Sequence, residues 1–167
     1  MIKFVVVVNN HGKPRLTKFY EYMPEDMQQR VIQTCFQLVT RRAEGQCNTI
    51  EATGPDGEYM RLVFRNYATL YFVFCVDEAE SQLGILDLIQ VFVETLDRCF
   101  ENVCELDLIF HMDRVNYVLD EFIVGGLVAE TSMREVLDAL QAAKLEERAY
   151  SSSSAVAAFS SILPGSN

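Results

Sequence analysis

Residues 2–8 read Ile-Lys-Phe-Val-Val-Val-Val, an apolar run broken only by Lys3, and no other stretch restricts the possible folds as strongly. The run is far too short to span a bilayer, and its β-branched side chains favour extended backbone. It passes into the polar Asn9-Asn10-His11 without a small-residue cleavage pattern, so it reads as a buried strand and not as a targeting signal. A strand that is apolar on both sides has to be covered on both faces. A second such run, residues 68–76, is rich in aromatic and β-branched residues and predicts another central strand.

The punctuation between the runs supplies the rest of the order. Asn9-Asn10-His11-Gly12 tolerates positive φ and is expected to turn the chain into a second strand over residues 14–22. Pro24 suits the first position of a helix, with Glu25 and Asp26 at its positive end. Met27, Val31, Cys35 and Leu38 follow at helical spacing, and Gly45 can stop the helix. Gly54-Pro55-Asp56-Gly57 marks a hairpin between a short strand ending near Ala52 and a longer one from about Glu58.

Beyond residue 82 the period becomes helical. Leu86, Ile89, Val93, Leu96 and Phe100 form a stripe, widened by Ile85, Phe92 and Cys99. So wide a stripe predicts burial against a sheet on one side and against something else on the other, either a partner chain or another part of this chain. Asn102 is expected to cap a further helix, Gly125-Gly126 to break the pattern, and Ser132 with Glu135 to form a capping box. The sequence predicts an α+β domain: a five-stranded, mostly antiparallel sheet with helices on its faces and extra helices at its carboxyl end. From about Arg148 the Ser-rich residues read as a flexible tail.

The chemistry-bearing residues argue for binding and not for catalysis. A formal charge of -10 is unsuited to nucleic acid, whose phosphates need clustered Lys and Arg, and disfavours unaided contact with an anionic membrane. The five cysteines are odd in number and mostly in apolar surroundings, as expected of reduced cytosolic thiols. Only His11 and His111 are available as bases, and neither has a nucleophile beside it in sequence. Cys99 and Cys104 lack metal-ligand spacing, and Gly125-Gly126 lacks the residues of a phosphate loop. The carboxylates Glu94, Asp97, Glu105, Asp107, Asp120 and Glu121 read as solvated helix faces. The expectation is a module that is not an enzyme and holds no metal or cofactor.

Three segments carry a family resemblance: NNHGKPRLTKFY (residues 9–20), RNYATLYFVFCVD (65–77) and DLIQVFVETLDRCFENVCELDLIF (87–110), continued by VLDEFIVGG (118–126). They resemble, in unbroken order, the small (sigma) subunits of heterotetrameric clathrin-adaptor-type complexes, and residues 10–15 and 83–90 look most like the sigma chain of adaptor complex 3. The resemblance implies a longin-like fold over residues 1–147, followed by a tail over 148–167. It implies a permanent place beside a delta-type large subunit, in a core that also holds beta-type and mu chains. It further implies transport from Golgi or endosomes toward lysosomes or a vacuole, and peripheral membrane association through the complex. A free longin-type regulator of membrane fusion is the alternative, and it calls for a membrane anchor or a coiled-coil fusion helix.

Sigma chains also bind acidic dileucine sorting signals. Carried over position by position, the resemblance gives an apolar slot from Ala68, Leu70, Val93, Val103, Leu106 and Leu108, with Asn102 as a polar contact to the peptide backbone. Arg15 matches the cation that meets the acidic residue, a task suited to a guanidinium.

Overall fold

A computed structural model describes residues 1–42 and 45–160, with side chains through residue 151. Five strands, β1 (Ile2–Asn9), β2 (Pro14–Phe19), β3 (Thr49–Thr53), β4 (Tyr59–Tyr67) and β5 (Leu70–Val76), form one antiparallel sheet in the order β2-β1-β5-β4-β3. Helix α1 (Glu25–Thr40) lies between β2 and β3 in sequence; α2 (Gln82–Phe100), α3 (Glu105–Phe110) and α4 (Met112–Phe122) follow β5. A two-stranded hairpin, β6 (Ile123–Val124) and β7 (Leu127–Val128), precedes α5 (Met133–Ser160). The expected strand and helix order and the all-antiparallel sheet are what the chain adopts.

The apolar runs explain the layering. Side chains alternate across a strand, so Phe4, Val6 and Val8 of β1 join Val73 and Cys75 of β5 against Val31, Ile32, Cys35 and Val39 of α1. On the opposite face Val5 and Val7 join Phe72 and Phe74 under Ile89, Phe92 and Leu96 of α2. β1 and β5 are the central pair, with Val5 opposite Phe74 and Val7 opposite Phe72. Neither strand has a face to spare for water, hence the uninterrupted hydrophobicity.

The second side of α2 decides between the two alternatives for its cover. It is covered by this chain itself: Val115, Val118, Leu119 and Phe122 of α4 and Val136 of α5 belong to the same apolar cluster as α2. Edge-to-face rings run from Phe72 to Phe92 at 6.2 Å and from Phe92 to Phe122 at 6.1 Å, crossing sheet, α2 and α4 in turn. A wide helical stripe does not distinguish cover by a later helix of the same chain from cover by another chain. Exposed apolar side chains occur elsewhere, chiefly at Leu83 and at Leu106, Ile109, Phe110, Met112 and Tyr117.

Three local expectations also change. The second strand ends at Phe19, although Tyr20 N still donates to Lys3 O at 2.9 Å in the same register. Ala68 is not in β5: it has φ 51 in the tight turn that pairs Tyr67 with Leu70. Helix α5 continues to Ser160 instead of ending near Arg148, as suits its alanine-rich sequence, and Ser151 Oγ donates to Glu147 O at 2.9 Å within it. Residues 161–167 of the expected tail lie outside the described residues. The Gly125-Gly126 break is a tight hairpin, where Gly126 (φ 85) accepts from Ile2 N at 2.8 Å. A Cβ there would sit 2.5 Å from Ile2 O, so only glycine lets this hairpin meet the start of β1.

Candidate peptide-binding site

Helix α2 stops on two successive left-handed residues, Glu101 (φ 54) and Asn102 (φ 77). Asn102 N donates to Asp97 O at 3.1 Å and Val103 N to Asp97 Oδ1 at 3.0 Å, so Asp97 caps the end of α2. The chain thereby doubles back, and α3 returns to the end of the sheet where β1 meets β2. Cys104, not Asn102, caps α3, and Cys104 N donates to Asp107 Oδ2 at 2.8 Å. That bond holds the Asp107 carboxyl below the usual carboxylate range. Asn102 was expected to be the cap because asparagine favours that position; its tolerance of positive φ is what the chain uses instead.

The first residue of α3, Glu105, is the polar centre of the region. Arg15 Nε on β2 donates to Glu105 Oε1 at 2.8 Å, and Asn9 Nδ2 at the end of β1 donates to the same oxygen at 3.0 Å. Thr69 Oγ1, in the β4–β5 turn, donates to Glu105 Oε2 at 3.3 Å. Asn9 is itself fixed, because its Oδ1 accepts from His11 N and Lys13 N, both at 2.9 Å. The hydrogen bond from Arg15, then that from Asn9, keep the Glu105 carboxyl below its ordinary range. Its side chain is 26% exposed and that of Arg15 22%, so the pair is shielded without being buried. The expectation that Glu105 is a solvated carboxylate is thus corrected. Arg15 and Asn9 lie 90 and 96 residues away in the chain and Thr69 lies 36 away, distances no sequence spacing reveals.

Beside this polar centre lie the apolar residues assigned by resemblance. Leu70 opens β5, Val93 lies midway along α2, and Leu108 belongs to α3; all three are in one cluster, with Val103 packed against it. Ala68, Asn102 and Leu106 stay at the surface, Leu106 with 58% of its area exposed. Leu70, Val93 and Leu108 belong to the large core cluster on this face of the sheet, which also takes in Ile2 of β1 and Val136 of α5, and Val103 packs against it. The structure sets Arg15 and Ala68 at the rim, where Ala68 adjoins Thr69. Asn102 and Leu106 are left outside the cluster. Leu108 has no exposed area, and Leu70 and Val93 retain 6% each. In this conformation the slot is filled by the chain's own packing. Two surface clefts border Lys3, Glu58 and Tyr59 instead, and none of the eight residues lines either.

The far end of α3 is tied to α2 and α4. Arg114 Nη2 donates to Cys99 O at 2.8 Å while its guanidinium lies 4.7 Å from the centre of the Phe100 ring. His111 stacks on the same ring at 5.8 Å. On β2, Lys18 pairs with Asp120 of α4 at 3.0 Å. Among the described residues no helix is long and apolar enough to cross a membrane.

Comparison with known proteins gives the family of the chain. Residues 1–147 match the clathrin adaptor complex small chain family. Human AP-3 complex subunit sigma-2 is 54% identical over 159 residues, covering 95% of this chain and 82% of the human protein. The AP-3 complex subunit sigma of Dictyostelium discoideum is 56% identical over 135 residues, 79% of each chain. Among structures, a chain of a homology model of the full-length AP-3 complex in a stretched open conformation superposes with a TM-score of 0.67 at 36% identity, covering 92% of this chain and 98% of that one. The chain belongs to the clathrin adaptor complex small chain family, and within it is most like the sigma subunits of AP-3 complexes.

Proposed function

We propose that the chain is a small subunit of an AP-3-type adaptor coat, acting in transport from Golgi or endosomes to lysosomes or a vacuole on the cytosolic face of those membranes. It packs against a delta-type large subunit, beside beta-type and mu chains, and helps that core bind acidic dileucine signals in cargo tails. The observation that carries this reading is the Arg15–Glu105 pair, which sets a guanidinium at the first residue of α3, the helix that also carries Leu108 of the apolar core. An extended peptide with an acidic residue ahead of paired leucines needs just those two elements, a guanidinium and an aliphatic slot. The apolar side chains left exposed at Leu106, Ile109, Phe110 and Met112 support a role within a larger assembly.

Burying two leucines contributes roughly 3–6 kcal/mol before ordering costs, so micromolar affinity is expected. Binding of that strength suits a coat that has to release its cargo. Calorimetric titration of the assembled complex with an acidic dileucine peptide tests the reading. Arg15→Ser is expected to weaken binding and Val103→Ser to abolish it. Unchanged affinity in both variants refutes the site.

A further inference from the structure

We propose that α3 is a latch on this site: Glu105 occupies Arg15 in place of the acidic residue of a sorting peptide, and keeps Leu108 sealed until a peptide carboxylate displaces it. This rests on the peptide-binding reading of Arg15. Three observations converge on it. First, the Glu105 carboxylate already holds the position a ligand carboxylate would take, 2.8 Å from Arg15 Nε. Second, a side chain with no exposed area cannot touch a ligand, so Leu108 joins the slot only if α3 moves. Third, α3 is a short unit set off from the helices on either side. It is six residues long, and its neighbours Asn102 (φ 77) and His111 (φ -128, ψ 39) both depart from helical backbone. Its polar ties to the sheet edge run through the one carboxylate, to Asn9, Arg15 and Thr69.

These facts couple two events. Freeing Arg15 requires Glu105 to leave, and Glu105 leaving withdraws the polar anchor of the helix that covers the slot. An acidic peptide exchanges one carboxylate for another on Arg15, so the charge pair is preserved while the leucines gain a place to bury. A dileucine peptide without the acidic residue has to open the latch and leave Arg15 without its partner. The latch thus makes Glu105 a specificity-determining residue for peptides that carry a carboxylate ahead of the aliphatic pair. Its closed population also lowers the apparent affinity of every peptide by the fraction of time the site is shut.

The test uses the assembled complex, with Glu105→Gln, Thr69→Ala and, as a control for loss of one surface carboxylate, Glu101→Gln. Each is titrated with an acidic dileucine peptide and with the same peptide carrying Gln for its acidic residue. Glu105→Gln is expected to bind the acidic peptide about three- to tenfold more tightly, mainly through a faster association rate. Thr69→Ala should shift the same way by a smaller factor, and Glu101→Gln should match the parent. Hydrogen exchange of the α3 amides, read without peptide, should quicken in the first two variants alone. Equal or weaker binding by both Glu105→Gln and Thr69→Ala, while the parent binds, overturns the latch and leaves the site reading standing. Unchanged exchange in α3 overturns it as well. A parent complex that binds neither peptide defeats both the latch and the reading beneath it.

Discussion

The β1–β5 ribbon and the segment from Glu101 to Met112 lie on one domain and are built on opposite terms. In the ribbon, residues alternate between two apolar clusters, and Val5, Val6, Val7, Val73 and Phe74 have no exposed area. Every neighbour is fixed by long-range strand pairing, so moving one residue disturbs a layer. The other segment starts on two left-handed residues and holds Leu108 inside while leaving Leu106 and Phe110 outside. Its order depends on a carboxylate, a cap and a ring stack. The lesson is a division of labour: a rigid sheet presents Arg15, Asn9 and Thr69, and a short helix with few anchors meets them.

The contrast breaks most visibly in stability. Phe92→Ala opens the line of rings joining sheet, α2 and α4, and is expected to cost about 3–5 kcal/mol in equilibrium denaturation. Phe110→Ser, at 73% exposure, is expected to change stability by no more than about 0.5 kcal/mol. If the two substitutions cost the same, residues 101–112 are as integral to the core as the ribbon, and the contrast is lost. A smaller effect sharpens it. Because Arg15 and Asn9 hold the Glu105 carboxyl below its ordinary range, the stabilisation from that node is complete above the ordinary glutamate range. It is lost only as pH falls through the lower value of the folded state. Carboxyl-resolved NMR titration should therefore show Glu105 protonating below the ordinary glutamate range. Titration at the ordinary glutamate value would mean that the Arg15 bond does not hold in solution.

The scaffold was legible in the sequence because burial writes itself into local pattern. Two apolar runs predicted the central strands, and helical spacing with terminal charges predicted α1 and α2. What escaped depends on partners remote in the chain. Ala68 continues an apolar run, so nothing local signals a left-handed turn where glycine or asparagine is usual. The cover on the face of α2 opposite the sheet stays open in the sequence, since a stripe records burial without naming what covers it. Glu105 was passed over as one carboxylate among many, and only the fold brings it to Arg15 across 90 residues. The apolar half of the site rests on resemblance; the structure buries Leu70, Val93 and Leu108 in the general core with Val103 against it, and leaves Asn102 and Leu106 at the surface.

The central claim is that Arg15 reads the acidic residue of a dileucine signal beside this apolar cluster. A double-mutant cycle tests it most directly: the assembled complex and its Arg15→Ser form are each titrated with an acidic dileucine peptide and its Gln counterpart. The account predicts that the parent prefers the acidic peptide and that Arg15→Ser binds both equally. A preference for the acidic peptide that survives intact in Arg15→Ser would contradict it.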